Sequence, residues 1–168
     1  MIEPKNVAQR TTPASVWSDP RHFFAFGLGV GALPVAPGTF GTLLAVPLYL
    51  LVRDLPLHVY LLHTALLAAL GFWLCHVTAR DMGVDDHQGI VWDEMVGYLI
   101  TMTAAPPGWF WIVLGFAWFR LFDIWKPWPI RTIDRRVKGG LGIMLDDIVA
   151  GAAACLAVQT CAWLLGKT

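Results

Sequence analysis

The sequence predicts an all-α fold, a polytopic helical membrane bundle with a broken or re-entrant N-terminal segment. Three observations lead there. Apolar residues make up 57% of the 168-residue chain and charged residues only 14%, against roughly half and a quarter in an ordinary soluble domain. Mean hydropathy is +0.59. The apolar residues gather in helix-length runs divided by short polar loops. Nine Trp and nine Phe add amphipathic bulk of the kind that sits at lipid headgroup level. A polar arm over residues 1–22 precedes one helical membrane-embedded domain over 23–168.

The arm carries Pro4, Pro13 and Pro20 with Lys5, Arg10 and Arg21, and is expected on the surface, loosely ordered. It has no apolar core of the kind a cleaved signal peptide needs. Residues 23–52 are almost free of charge but interrupted by Gly27, Gly29, Gly31, Pro34, Pro37, Gly38 and Gly41. Each proline removes a backbone donor and clashes with the preceding turn, so an irregular stretch should come first and a helix with Thr39 near its start second. Irregular backbone at membrane depth needs cover from protein or a wet cavity, which should place this stretch against a site. Residues 57–79 form the cleanest spanning candidate, long enough for roughly 30 Å of hydrocarbon. His58, His63 and His76 within it read as histidines hydrogen-bonded inside a bundle.

Residues 80–93 make an acidic loop with Asp81, Asp85, Asp86, His87 and Asp93. Residues 94–103 and 109–122 read as a short helical hairpin turned by Pro106-Pro107-Gly108. Residues 120–138 form a basic loop, and residues 146–165 a last apolar helix with Asp146-Asp147 in its first turn. The positive-inside rule puts the arm and the basic loop on the cytoplasmic face, and counting crossings brings the acidic loop to the same face. The zero net charge gives a nucleic-acid partner no electrostatic support. Cys75, Cys155 and Cys161 are an odd number inside apolar runs, and read as small buried hydrophobes rather than a disulfide framework.

Three edges carry chemistry. Asp93-Glu94 opens one apolar run, Arg120 and Asp123 share a helix face three residues apart that Lys126 continues, and Asp146-Asp147 opens another run. Adjacent residues on a helix point about 100° apart, so one acid of each pair can face a site while the other braces it. Gly97 and Gly151 leave room one turn beyond Asp93 and Asp147. Alone, each edge reads as a helix cap, a surface ion pair or a turn. Together they offer five carboxylates whose mutual repulsion calls for a cation. Oxygen ligands suit Mg²⁺, Arg120 and Lys126 suit phosphate, and the Gly139-Gly140-Leu141-Gly142 turn offers backbone N–H groups. That set points to metal-assisted chemistry on a phosphate. Other patterns fail on context. Gly27-Leu28-Gly29-Val30-Gly31-Ala32 runs into prolines rather than a helix, and Cys75 to Arg80 is one residue short of a phosphate cradle.

The segments Gly89-Ile90-Val91-Trp92-Asp93-Glu94, Phe119-Arg120-Leu121-Phe122-Asp123-Ile124-Trp125-Lys126-Pro127 and Gly139-Gly140-Leu141-Gly142-Ile143-Met144-Leu145-Asp146-Asp147 resemble phosphatidylglycerophosphatase A of bacteria. So does Ala36-Pro37-Gly38-Thr39. The resemblance runs from about residue 23 to the C-terminus. It implies an all-helical enzyme of the bacterial inner membrane with its site facing the cytoplasm. The implied reaction is Mg²⁺-dependent hydrolysis of phosphatidylglycerophosphate to phosphatidylglycerol and phosphate in phospholipid biosynthesis, with that lipid and the surrounding membrane lipids as partners. Asp93, Glu94, Asp123, Asp146 and Asp147 become candidate ligands or bases, with Asp93, Glu94, Asp123 and Asp147 as metal ligands. Arg120 and Lys126 become phosphate clamps, and Thr39 a contact to phosphate or metal-bound water. Direct attack by water and a phospho-aspartyl route both stay open. An ion-coupled transporter would place its acids near mid-membrane, whereas these stand at segment ends. A non-catalytic membrane subunit would leave the three acidic edges without a purpose.

Overall fold

The computed structural model describes residues 11–167. The first half of the polar arm, with Lys5 and Arg10, lies outside them. A 3₁₀ turn at Ala14–Trp17 leads to α1 (Pro20–Ala25), and a second at Val30–Ala32 precedes α2 (Pro37–Val52). Then follow α3 (Leu57–Met82), α4 (Trp92–Thr101), α5 (Trp109–Trp125), α6 (Ile130–Arg136) and α7 (Gly139–Leu164). No strand occurs among the described residues.

The five longer helices alternate in direction. Gly38 lies against Glu94, and Gly97 against Gly151, so α2, α4 and α7 start at one end of the bundle. Gly140 lies against His76, and Gly97 against Phe119, so α3 and α5 finish there. α4 is the centre. Seven of its ten residues are buried, and Tyr98 and Leu99 are wholly enclosed. α3 and α7, 26 residues each with mean hydropathy of 1.6 and 1.9, are long and apolar enough to cross a membrane. α3 presents Leu62, Leu66 and Trp73 on its outer side, each more than half exposed. Such a face is costly in water and suits lipid, which supports membrane association.

Local chemistry sets the helix ends. Pro20 and Pro37 occupy first-turn positions, where a missing N–H costs nothing. Gly83 closes α3 in the left-handed conformation (φ 66°), which suits a residue without Cβ. The irregular stretch before α2 forms as expected. It packs against the loop ahead of α4, where Gly31 lies so close to the Gly89 carbonyl that a Cβ has no room.

Five expectations need correction. α7 begins at Gly139, seven residues before Asp146, so Asp146-Asp147 lies in the third turn and caps nothing. Gly139-Gly140-Leu141-Gly142 is that helix's first turn rather than a loop. Its glycines permit close approach, Gly140 to the His76 backbone and Gly142 to the Val137 carbonyl. The basic loop contains the short helix α6. The histidines of α3 are not hydrogen-bonded in the bundle: His58 and His76 are exposed, and His63 is half-buried with Nε2 unpartnered. The arm's second half is also anchored. Val16 is fully buried, and Arg21 links Asp19 to Asp81 of α3 at 2.5 and 3.3 Å.

At the end away from the acids, Tyr60 donates to the Leu99 carbonyl at 2.6 Å, with Tyr49 edge-on to its ring. Removing a buried donor leaves that carbonyl unpaired at a net cost of about 1 kcal/mol. Tyr60→Phe is therefore expected to lower the thermal-unfolding midpoint in detergent by roughly 2–4 °C. An unchanged midpoint would show that the bond contributes nothing.

Candidate active site

The acids that the sequence separates by up to 54 positions meet in one cavity of about 270 Å³. α4 supplies Asp93 and Glu94 from its first turn, where carboxylates suit the partial positive charge of the helix start. α5 supplies Arg120 and Asp123 from its last turns, and Lys126 from its C-cap. α7 supplies Asp146 and Asp147. Residues 36–38 form a further wall from the start of α2, so the broken stretch does pack against the acids.

Two glycines set this geometry. Gly97 follows Asp93 by one turn and Gly151 follows Asp147 by one turn, and at that level α4 and α7 cross in contact. A Cβ on Gly151 would overlap the Gly97 carbonyl, and one on Gly97 would come within 3.0 Å of the Asp147 carbonyl. With the backbones this close, Asp93, Glu94 and Asp147 each direct a carboxylate oxygen into one space, all within 4.8 Å of one another. Gly38 serves similarly, because a Cβ there would strike the Glu94 carboxylate.

The charges divide unevenly. Arg120 pairs with Asp123 and stands 3.9 Å from Glu94. Lys126 reaches Asp146 and, at 2.7 Å, Asp134 of α6. Burial alone would lower the Lys126 ammonium, but the Asp146 and Asp134 carboxylates outweigh it and hold the group above the ordinary lysine range. It stays charged. Asp93 and Asp147 are 8% and 3% exposed, and Asp93 Oδ1, Glu94 Oε2 and Asp147 Oδ2 have no hydrogen-bond partner. Buried carboxylates left so close repel strongly, and an arrangement of this kind fits a hard divalent cation. Asp123 stands apart from that group against Arg120, and Asp146 against Lys126.

The structure also sorts the other candidates. Thr39 does not line the cavity, although its neighbours Pro37 and Gly38 do. Gly139 and Gly142 of the α7 first turn flank a smaller adjoining hollow with Asp85, Asp86 and Lys138, not the main cavity. Asp86, His87 and Gln88 line the cavity and were visible in the sequence only as part of an acidic loop. His87 is no free base. Its Nδ1 accepts from the Gly89 N–H at 3.0 Å, and its Nε2 faces the Thr11 carbonyl at 3.3 Å. Burial moves its imidazole below the usual range, and the partners assign the proton to Nε2. Among the described residues no Ser, Thr or Cys lines the cavity, which leaves the carboxylates as its side-chain oxygen nucleophiles.

The family described as Phosphatidylglycerophosphatase A matches residues 23–162. Phosphatidylglycerophosphatase A of Escherichia coli is 53% identical over 135 residues, covering 80% of this chain and 78% of that protein. Its namesake in Haemophilus influenzae is 46% identical over 142 residues, covering 83% and 87%. A Bacteroides thetaiotaomicron protein named "Putative phosphatidylinositol-3-phosphatase" is 39% identical over 151 residues, covering 83% and 92%. No solved structure matches.

If the crossing of α4 and α7 holds the acids together, widening it should separate them. Gly151→Val is expected to cost on the order of 1–3 kcal/mol through overpacking. It should also abolish any rise in unfolding midpoint that divalent cation gives the wild type. An unchanged cation response in the variant would remove the crossing from its role.

Proposed function

Because this chain belongs to the phosphatidylglycerophosphatase A family, and so is a phosphoric monoester hydrolase, we propose that it hydrolyses phosphatidylglycerophosphate to phosphatidylglycerol and inorganic phosphate with Mg²⁺. We place the reaction in phospholipid biosynthesis at the inner membrane, with the cavity facing the cytoplasm. The observation that carries this reading is the group of three converging carboxylates, each with one enclosed oxygen that has no hydrogen-bond partner, beside one arginine and one lysine in a single cavity. The names of the relatives support the substrate.

In this reading Asp93, Glu94 and Asp147 hold the metal. When bound, Mg²⁺ offsets phosphoryl charge and acidifies water. Arg120 and Lys126 face the phosphate oxygens. Asp123 and Asp146 hold those two cations in place as the ion pairs already described, so each clamp is fixed before substrate arrives. Water attacks phosphorus in line with the ester oxygen. A carboxylate of the set accepts the water proton as the new P–O bond forms. The bond from phosphorus to the lipid oxygen breaks, and that oxygen leaves as the alcohol after taking up a proton. That no Ser, Thr or Cys lines the cavity among the described residues favours water over those side chains, and trapping a phosphorylated Asp or Glu would instead establish a covalent route.

The decisive measurement is phosphate release from phosphatidylglycerophosphate by purified protein in detergent, with and without Mg²⁺. Release by the wild type should require the metal. Asp93→Asn and Asp147→Asn should each lower it on the order of 100-fold or more, the scale for loss of one transition-state group. Both variants should fold at least as stably as the metal-free wild type, since each removes a repelling charge. Wild type without phosphatase activity would end the functional reading. Full activity in both variants would end the metal assignment.

A further inference from the structure

The two helices that bring Gly38 and Arg120 to the cavity continue together beyond it. On α5, counting back from Arg120 and Ile124 by threes and fours reaches Phe116, Val113 and Trp109, all on one face. On α2, Gly38 and Thr39 begin the face that continues through Leu43 and Val46. Leu43, Val46, Trp109, Ile112, Val113 and Phe116 line a groove of about 220 Å³ between the two helices. Every one of these side chains is apolar. α2 leans on α4 and α5 leans mainly on α7, and the two touch each other sparsely, so the seam opens outward, with Leu43, Trp109 and Val113 more than half exposed. Phe116 stands one turn from Arg120, which joins the polar cavity to the apolar groove. From Arg120 to Trp109 the groove runs roughly 16 Å at 1.5 Å per residue, about half the thickness of the hydrocarbon layer. Thr39 lies on the shared face between Gly38 and Leu43, beside the cavity without lining it.

We propose that the α2–α5 groove seats one acyl chain of the lipid whose phosphomonoester occupies the acidic cavity. The proposal rests on the hydrolase reading given above and adds where the lipid lies. A chain leaving a headgroup held at Arg120 meets this seam first, and the groove follows the direction a chain must take into the bilayer. Lipid tails are as apolar as leucine, so moving a chain from bilayer to groove yields little hydrophobic free energy. The gain is alignment: a fixed chain fixes the ester oxygen against the cavity. The groove should therefore govern turnover of long-chain substrate and matter little to a chain too short to reach it.

Val113→Trp and Val46→Trp fill the groove about 10–12 Å along the helices from the cavity, and neither residue belongs to the acidic site. Leu156→Trp, on the exposed side of α7, serves as control. The measurement is kcat/KM on dipalmitoyl and dihexanoyl phosphatidylglycerophosphate in the same mixed micelles. Both groove variants should lose about tenfold or more on the dipalmitoyl lipid while keeping dihexanoyl turnover within about threefold, and the control should lose on neither. Retained dihexanoyl turnover also shows that the variants fold. Equal loss on both lipids, no loss on either, or the same chain-length effect in the control overturns the groove. Wild type that hydrolyses neither lipid refutes the functional reading instead, a result distinct from these.

Discussion

The contact between α4 and α7 at Gly97 and Gly151 is the constraint on which the site depends. Two helices with side chains at the crossing sit 8–10 Å apart, and glycine at both positions brings the backbones closer. One turn toward the loops, that proximity becomes a shared space for the oxygens of Asp93, Glu94 and Asp147. The arrangement is unfavourable by itself, because three carboxylates with little solvent cannot all remain charged without compensation. The fold tolerates it because the cost is confined. Asp123 and Asp146 have their own cations in Arg120 and Lys126, and each of the three acids facing the shared space keeps one buried oxygen without a partner.

The rest of the bundle serves that confinement. α4 is enclosed by α2, α3, α5 and α7, so its first turn is held from several sides. Trp92 donates from its indole to the Leu67 carbonyl at 3.0 Å, and the Val91 N–H donates to the Ala25 carbonyl at 3.0 Å. These bonds fix the start of α4 to α3 and to the end of α1. The irregular backbone of residues 26–36 packs against the loop ahead of α4, with Gly31 at the Gly89 carbonyl and Phe26 beside His87, and reaches the cavity at Ala36.

Much of this was legible in the sequence, because a carboxylate at the edge of an apolar run is conspicuous when charge is scarce. The turn at Pro106-Pro107-Gly108 and the interruption before Pro37 were legible for a similar reason, since proline and glycine act on their own backbone. What could not be read depends on distant residues. Gly139-Gly140-Leu141-Gly142 has the composition of a turn, and only the nearness of His76 and Val137 reveals a helix packed too tightly for side chains. The start of α7 was misplaced for that reason. Asp86 and His87 entered the cavity unannounced because the path of a loop follows from what it rests on, here Phe26 and the Thr11 carbonyl. Thr39 adjoins the cavity along the chain, but its face of the helix belongs to the seam with α5.

The brevity of α4 bears on how the protein is made. At ten residues it extends roughly 15 Å, too short to cross a bilayer unaided, and most of its surface is claimed by protein rather than lipid. Its Gly97 face waits for Gly151, which lies in α7, a helix synthesised later than α4. The acids of α4 are thus synthesised well before the surface that holds them exists, and a chain arrested ahead of α7 has Asp93 and Glu94 but no means of positioning them. Assembly of the centre therefore waits for α7, and the chemistry of this chain begins only after that helix has been made and has packed on α4.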